Sequence, residues 1–220
     1  MPNQTIQHAA PKPATTDSAI IHSPSAFREW ISARPGARFR PEAGRYHLYV
    51  MYGCPWAHRT LIVRSLKGLE HAIEVSAVHY HLKQEEGWTF SLAHPEPLYG
   101  LRRLRELYAM ADAGYEGRIT VPVLWDKHER TIVNNESSEI MRIFNSAFNV
   151  FATHPALDLY PEPLRAEIDR WNERIYSAVN VGVYAAALAS TQATYEKAVY
   201  AFFDELDELE FGYRVISLSG

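Results

Sequence analysis

The residues best suited to chemistry fall in three short runs: Cys54-Pro55-Trp56-Ala57-His58-Arg59, Thr120-Val121-Pro122-Val123-Leu124 and Asn135-Glu136-Ser137-Ser138. Cys54 is the sole cysteine of the 220 residues, and it is followed at once by proline. With apolar residues 46–51 before it, the order spells strand, turn and first turn of a helix. Unsatisfied N–H groups and the positive dipole end at a helix start favour a thiolate. Pro55 suits the first helical position, where a missing N–H costs little and φ is already helical. Arg59, one turn on, can add positive charge. A buried cysteine acting as a small hydrophobe is the competing reading, and the strand–Cys–Pro–helix setting favours the reactive thiol over it. Positions 57 and 58 are Ala and His, so the motif holds no second thiol. Whatever resolves a mixed disulfide on Cys54 must come from outside.

Proline cannot donate to a strand ladder, so Pro122 is expected just ahead of a strand, in a cis peptide opposite the cysteine. An ordinary trans proline at a strand entry is the alternative. The cis turn would expose the Val121 backbone for pairing with an extended peptide ligand. Asn135-Glu136-Ser137-Ser138 reads as a helix start with Asn135 as the N-cap. There Glu136 can pair with an ammonium, while Ser137 and backbone N–H groups hold a carboxylate. Taken alone, such a run is more often plain helix capping. Thiol, proline turn and acid-plus-serine helix start together describe a glutathione site.

The elements that must position these groups are legible in outline. Residues 46–51 and 73–78 read as strands. Residues 56–66 read as a helix with Leu61, Ile62 and Leu66 inward and Gly68 as its stop. Residues 27–31 read as a short helix closed by Arg34-Pro35-Gly36. A long insertion, 79–115, carries Gly87-Trp88-Thr89-Phe90 and helical spacing over 98–110 (Leu101, Leu104, Leu107). Paired strands are expected over 119–125 and 131–133, and a helix over 136–144. The order β-α-β-insert-β-β-α, with a thiol at the first βα junction, is that of a thioredoxin-like α/β domain. After a proline-punctuated linker, 157–163, two helices are expected over 164–188 and 191–210. In the second, Tyr195, Val199, Phe202, Phe203 and Leu206 form an apolar stripe, with Glu196, Lys197, Asp204 and Glu205 off it. The expected division is a flexible extension at 1–38, a thioredoxin-like glutathione-binding domain at 39–149 and an incomplete all-helical domain at 150–220.

Composition bounds the function. With 47% apolar and 22% charged residues the chain belongs to the soluble globular class. A net charge of −4 gives no reason to expect nucleic acid or an anionic membrane as partner. One cysteine excludes an internal disulfide framework and a cysteine-rich zinc site. His71, His79 and His81 lack a third ligand at a recognised spacing, so no metal is expected. The polar, Pro/Ala/Thr-rich start has no secretory-signal pattern, which makes the cytoplasm the default location.

The chain resembles the glutathionyl-hydroquinone reductases, the Xi class of glutathione transferases. The resemblance rests on the Cys54–Ile62 run, on Gly87-Trp88-Thr89-Phe90, on Thr120-Val121-Pro122-Val123-Leu124-Trp125-Asp126 and on the run from Ile132 to Ile140. Asn172-Glu173-Arg174-Ile175-Tyr176 and Gly182-Val183-Tyr184 extend it into the helical part. It implies that Cys54 attacks the sulfur of a glutathionyl-hydroquinone, keeps the glutathionyl group as a mixed disulfide and releases hydroquinone. A second glutathione, as co-substrate, then resolves the enzyme. Trp88, Arg118, Val121, Glu136 and Ser137 match the family's glutathione-binding positions. Tyr184 matches a tyrosine that faces the aromatic substrate. His58 receives no catalytic role. The full-length family implies a homodimer. The resemblance stops near Glu210; residues 211–220 depart from the pattern, so the glutathione site is expected to be complete and the hydroquinone site half-built, with an exposed apolar patch on the helical part. A catalytically weak glutathione-binding or interaction protein is therefore the alternative to an active reductase. A transferase that conjugates glutathione to electrophiles is disfavoured, because such enzymes activate glutathione with a Tyr or Ser hydroxyl.

Overall fold

A computed structural model describes residues 24–218, with side chains described for 24–211. The expected tail at the start of the chain lies outside the described residues up to residue 23. The chain divides into two compact units, one of Ser25–Glu162 and one that includes Pro163–Gly220.

The first unit is built on a four-stranded sheet: β1 (Tyr46–Val50), β2 (Glu74–Ala77), β3 (Val123–Asp126) and β4 (Thr131–Asn134), in the order β2-β1-β3-β4. β1 runs parallel to β2 and antiparallel to β3, and β3 runs antiparallel to β4. The central strands β1 and β3 are buried at every residue, as strands covered on both faces are. Arg45 enters β1 and grips Asp126 at the end of β3 through two guanidinium nitrogens, while Asp126 also accepts from the His128 N–H (2.8 Å). That pair fixes the register of the strand that leads to the cysteine.

Three helices belong to this unit: α1 (Pro55–Leu66), α2 (Leu104–Ala111) and α3 (Ser137–Ser146). α1 and α3 pack together, and α2 packs on β4. α1 ends in a Schellman motif: Leu69 N–H donates to Arg64 O (3.0 Å) and Gly68 N–H to Ser65 O (2.9 Å). Gly68 sits at φ +63°, and a Cβ there would lie 2.5 Å from Thr153 Cβ, so no other residue fits.

Several expectations are corrected. The buried face of α1 is Ala57, Thr60 and Val63, whereas Ile62 and Leu66 are each 45% exposed. Small side chains face inward because α3 packs closely against α1. Residues 27–31 are not helical: Arg28 bridges Asn134 and Ile31 bridges Phe39. Glu29 N–H donates to Val133 O, and Asn135 N–H to Phe27 O, each at 3.0 Å, so this segment covers the open edge of β4. Residues 25–38, expected in the flexible extension, are thus part of the first unit. The helix expected over 98–110 begins only at Leu104. The cause is Glu96, a buried carboxylate that accepts from the N–H groups of Leu98, Tyr99 and Leu101 and from the Tyr49 hydroxyl (2.6 Å). Burial raises its carboxyl, the hydrogen bonds lower it, and the balance lies below the ordinary value. The strand expected from 119 starts at Val123, and that from 73 to 78 spans Glu74–Ala77.

The second unit contains α4 (Arg165–Ile175), a π-turn at Tyr176–Asn180, α5 (Gly182–Ala187) and α6 (Gln192–Leu218). The division falls after Glu162, where the sequence reading put it after Asn149. A single helix was expected over 164–188; the π-turn interrupts it, with Val181 N–H bonded to Tyr176 O (2.9 Å). Thr191 caps α6 by accepting from Thr194 N–H (3.2 Å). Helix continues through residues 211–218. Of the expected α6 stripe, Val199, Phe202 and Leu206 are half-buried, and Tyr195 and Phe203 are exposed. Glu205, expected off the stripe, is buried, because Arg174 on α4 pairs with it at 2.8 Å. Leu164, Val183, Leu188, Tyr200 and Phe211 are further exposed apolar side chains of this unit. Among the described residues, no helix is long and apolar enough to cross a membrane.

Candidate functional site

Cys54 occupies the N-cap of α1, extended at φ −84° and ψ 115°, with Pro55 as the first helical residue. Its N–H donates to Met51 O (2.9 Å), closing the turn out of β1, and its carbonyl accepts from His58 N–H (2.9 Å). The thiol is half-exposed and reduced. Its Sγ lies 3.9 Å from the Val121 carbonyl oxygen. Val121 precedes Pro122 through a cis peptide, the isomer expected from the sequence. Among the described residues no acceptor is found for the Val121 N–H. A bound extended peptide can pair with that group.

The proline turn is held from behind by Tyr108 on α2. The Tyr108 hydroxyl donates to Thr120 O (2.9 Å) and lies 3.3 Å from Thr120 N and 3.1 Å from Asn135 Nδ2. Burial raises the phenol above its ordinary range, which keeps the donor proton in place. Asn135 is therefore not the helix cap. Its Oδ1 accepts from Phe27 N–H (3.1 Å) and its Nδ2 reaches Tyr108, so the side chain is used inside the fold.

The N-cap of α3 is Glu136, whose carboxylate accepts from Ser138 N–H (3.2 Å) and Ser138 Oγ (3.0 Å). The other carboxylate oxygen accepts from Ser25 Oγ (2.9 Å). Ser137, the first helical residue, is 3% exposed. Its Oγ accepts from Arg59 Nε (3.0 Å) and Arg59 Nη2 (2.6 Å). Nη2 also lies 3.7 Å from Glu136 Oε1, and the guanidinium stacks 5.0 Å from the Trp56 ring centroid. Arg59, read from the sequence as a charge for the thiol, is thus directed at the start of α3. Nothing in its spacing from Cys54 signals that partner, because the contact depends on how α1 and α3 pack.

The structure brings Cys54 and Val121 together, and Glu136 and Ser137 together, with Arg59 and Tyr108 as the links. Arg118 is exposed, three residues before Val121, and its carbonyl accepts from the Tyr115 hydroxyl (3.0 Å). Trp88 packs against the core while its carbonyl accepts from Leu104 N–H (2.9 Å). Tyr184 lies half-buried on α5, in the second unit. His79 Nδ1 accepts from His81 N–H (3.1 Å), a local turn contact. Sequence reasoning missed Tyr108, Ser25 and the role of Asn135. Tyr108 is marked only as an aromatic one position after Leu107 in a helical pattern, which is too weak to single it out.

Residues 53–147 match the family described as glutathione S-transferase, N-terminal domain. The glutathionyl-hydroquinone reductase PcpF of Sphingobium chlorophenolicum is 52% identical over 177 residues, covering 79% of this chain and 56% of that protein. The crystal structure of the glutathione S-transferase Xi from Phanerochaete chrysosporium superposes with a TM-score of 0.80 at 52% identity, covering 86% of this chain and 65% of that one. The glutathione-bound structure of YqjG from Escherichia coli K-12 superposes with a TM-score of 0.79 at 47% identity, covering 84% and 62%. The chain spans less than two thirds of the length of each.

Proposed function

We propose that this chain, which belongs to the glutathione S-transferases and groups with their Xi class, uses Cys54 to carry a glutathionyl group as a mixed disulfide. The substrate is a glutathionyl-hydroquinone. Cys54, as thiolate, attacks the glutathionyl sulfur; the S–S bond forms as the bond from sulfur to the aryl carbon breaks. The aryl carbon takes up a proton and hydroquinone leaves. The thiolate of a second glutathione then attacks the mixed disulfide, giving glutathione disulfide and restoring Cys54. The aromatic carbon is reduced and glutathione is the reductant, so the electrons balance without a metal or a second protein thiol.

The observation that supports this reading best is the Cys54 thiol, 3.9 Å from the Val121 carbonyl, at the start of the helix whose Arg59 bonds the Glu136–Ser137 helix start. In the proposal, the Val121 backbone pairs with the cysteinyl residue of glutathione. Glu136 takes its α-ammonium, and Ser137 with the N–H groups of α3 takes its α-carboxylate. Trp88 and Arg118 complete the glutathione pocket, and Tyr184 stacks on and hydrogen-bonds the aromatic group. A cytosolic setting, where thiols stay reduced, suits this chemistry.

The test is incubation of the chain with a glutathionyl-hydroquinone, with and without glutathione, beside Cys54→Ser. The expected result is a mass gain of one glutathionyl group on the chain without glutathione, and Cys54-dependent hydroquinone release with it. Hydroquinone release by Cys54→Ser at the rate of the unaltered chain would overturn the reading. A second reading, glutathione binding without turnover, is favoured by one observation. Among its described side chains the helical unit buries only Val181 and Glu205, a thin base for a substrate wall. Glutathione binding with no hydroquinone release selects that alternative.

A further inference from the structure

We infer that Arg59 is a positioning residue for glutathione: it turns the Ser137 hydroxyl into a pure donor and thereby sets the site to accept a carboxylate. The inference rests on the proposed glutathione site and adds the device that makes its carboxylate end selective.

A serine hydroxyl has one proton to donate and two lone pairs that accept. Arg59 turns one edge of its guanidinium to Ser137 Oγ and donates to it through Nε at 3.0 Å and Nη2 at 2.6 Å, so the accepting side of the hydroxyl faces the cation. The hydroxyl proton must then point away from the guanidinium. Among the described residues Ser137 Oγ donates to no acceptor, although the residue is 3% exposed. A buried donor left without an acceptor is costly, and what relieves it is an incoming acceptor. The Ser137 N–H, for which no acceptor is found among the described residues, adds a donor, and the start of α3 adds the positive end of the helix dipole. Every group offered at this point is a donor, which suits a carboxylate and rejects an amide nitrogen.

The fork geometry matters as much as the charge. Two N–H groups from one guanidinium edge converging on a single oxygen require Arg, and the Trp56 ring, with its centroid 5.0 Å from the guanidinium carbon, keeps the plane in place. A lysine ammonium gives the oxygen a single point donor with no fixed plane and leaves the hydroxyl freer to rotate. Arg59 also stands 3.7 Å from Glu136 Oε1, so the same cation holds the ammonium acceptor beside the carboxylate donor.

The experiment measures calorimetric affinity for glutathione and for its γ-glutamyl α-carboxamide analogue in the Cys54→Ser background, where no covalent step intervenes. Four further variants carry Arg59→Gln, Arg59→Lys, Ser137→Ala or Arg59→Gln together with Ser137→Ala in that background. The expected result is a tenfold or greater loss of glutathione affinity in Arg59→Gln, about 1.4 kcal/mol, with little change for the carboxamide. Arg59→Lys recovers only part of the loss, and Arg59→Gln with Ser137→Ala loses no more than either alone. Glutathione affinity within twofold of the parent in Arg59→Gln overturns the inference, as does an equal loss for both ligands. Should Arg59→Gln fail to fold, Arg59→Lys and Ser137→Ala decide by the same comparison of ligands. A parent chain that binds no glutathione overturns the functional reading itself, a result distinct from any of these.

Discussion

Replacing Glu136 by glutamine separates what this side chain does for the fold from what it does for a ligand. Its carboxylate caps α3 through Ser138 N–H and Ser138 Oγ, and accepts from Ser25 Oγ. A glutamine side chain keeps one oxygen for the cap and can still face Ser25 with its amide. What it loses for the fold is the negative charge at a helix N-terminus, worth ~0.3–1 kcal/mol. It also loses the 3.7 Å approach of Arg59, a partly exposed pair worth ~1 kcal/mol or less. The fold should therefore lose about 1 kcal/mol. The ligand loses a charge-assisted bond to its ammonium, worth ~1.5–3 kcal/mol, which is about ten- to hundredfold in affinity. Calorimetric titration of glutathione into Cys54→Ser, with and without Glu136→Gln, reads the second quantity, and denaturant melts read the first. N-acetylated glutathione, which has no ammonium, should bind both chains alike. Glutathione affinity within twofold in Glu136→Gln would refute the assignment of Glu136 to the ammonium. A stability loss above about 3 kcal/mol would make the residue a structural cap first.

Tyr108→Phe should cost ~1–3 kcal/mol, because Thr120 O and Asn135 Nδ2 lose a buried partner; urea melts followed by tryptophan fluorescence measure it. In the same variant glutathione affinity should fall, since the turn carrying Val121 loses its anchor; unchanged affinity would mean that the turn holds itself. His47 is buried on β1, and burial, partly opposed by Glu74, lowers its pKa from 6.5 to about 4. The unfolded chain therefore takes up the proton first as pH falls, so this contribution is complete above pH 6.5 and drains away between 6.5 and about 4. Stability should drop by ~2 kcal/mol from neutral pH to about pH 5 through this residue, and His47→Gln should flatten that dependence; a slope unchanged by the substitution would remove His47 as its source.

The parts of this fold that are local were readable in the residues. Cys54-Pro55 marks a helix start by proline's own geometry, Gly68 marks its end by a positive φ, and Pro122 marks a turn because it cannot sit in a ladder. Where the reading failed, a contact from far along the chain decided the outcome. Residues 27–31 carry helical spacing, yet they lie along β4 because that edge needs partners more than a five-residue helix can repay. Residues 98–103 carry helical leucines, yet Glu96 takes their N–H groups. Asn135 has the composition of a cap and Glu136 does the capping, because Tyr108 and Phe27 already hold the asparagine. In the candidate site the same division appears. Cys54, Val121, Glu136 and Ser137 stand on local signals, whereas Arg59 and Tyr108 act only through packing between helices and turns.

Those two residues explain how a thiol 67 residues from Val121 and a helix start 78 residues from Arg59 hold one spacing. Arg59 ties α1, which begins at Cys54, to Ser137. Tyr108 ties the Thr120–Val121 turn, which faces Cys54, to Asn135 beside Glu136. The two links run on different elements, α1 and α2, and close a ring of contacts around the space a tripeptide would occupy on the proposed reading. Loss of either link leaves the other, so each should weaken glutathione binding without abolishing it. Every residue of the ring lies within Ser25–Glu162, whereas Tyr184 lies in the helical unit. On the proposed reading, recognition of glutathione and recognition of the aromatic group are thus carried by separate units. A change confined to residues 163–211 should therefore alter turnover of a glutathionyl-hydroquinone while leaving affinity for glutathione itself in place.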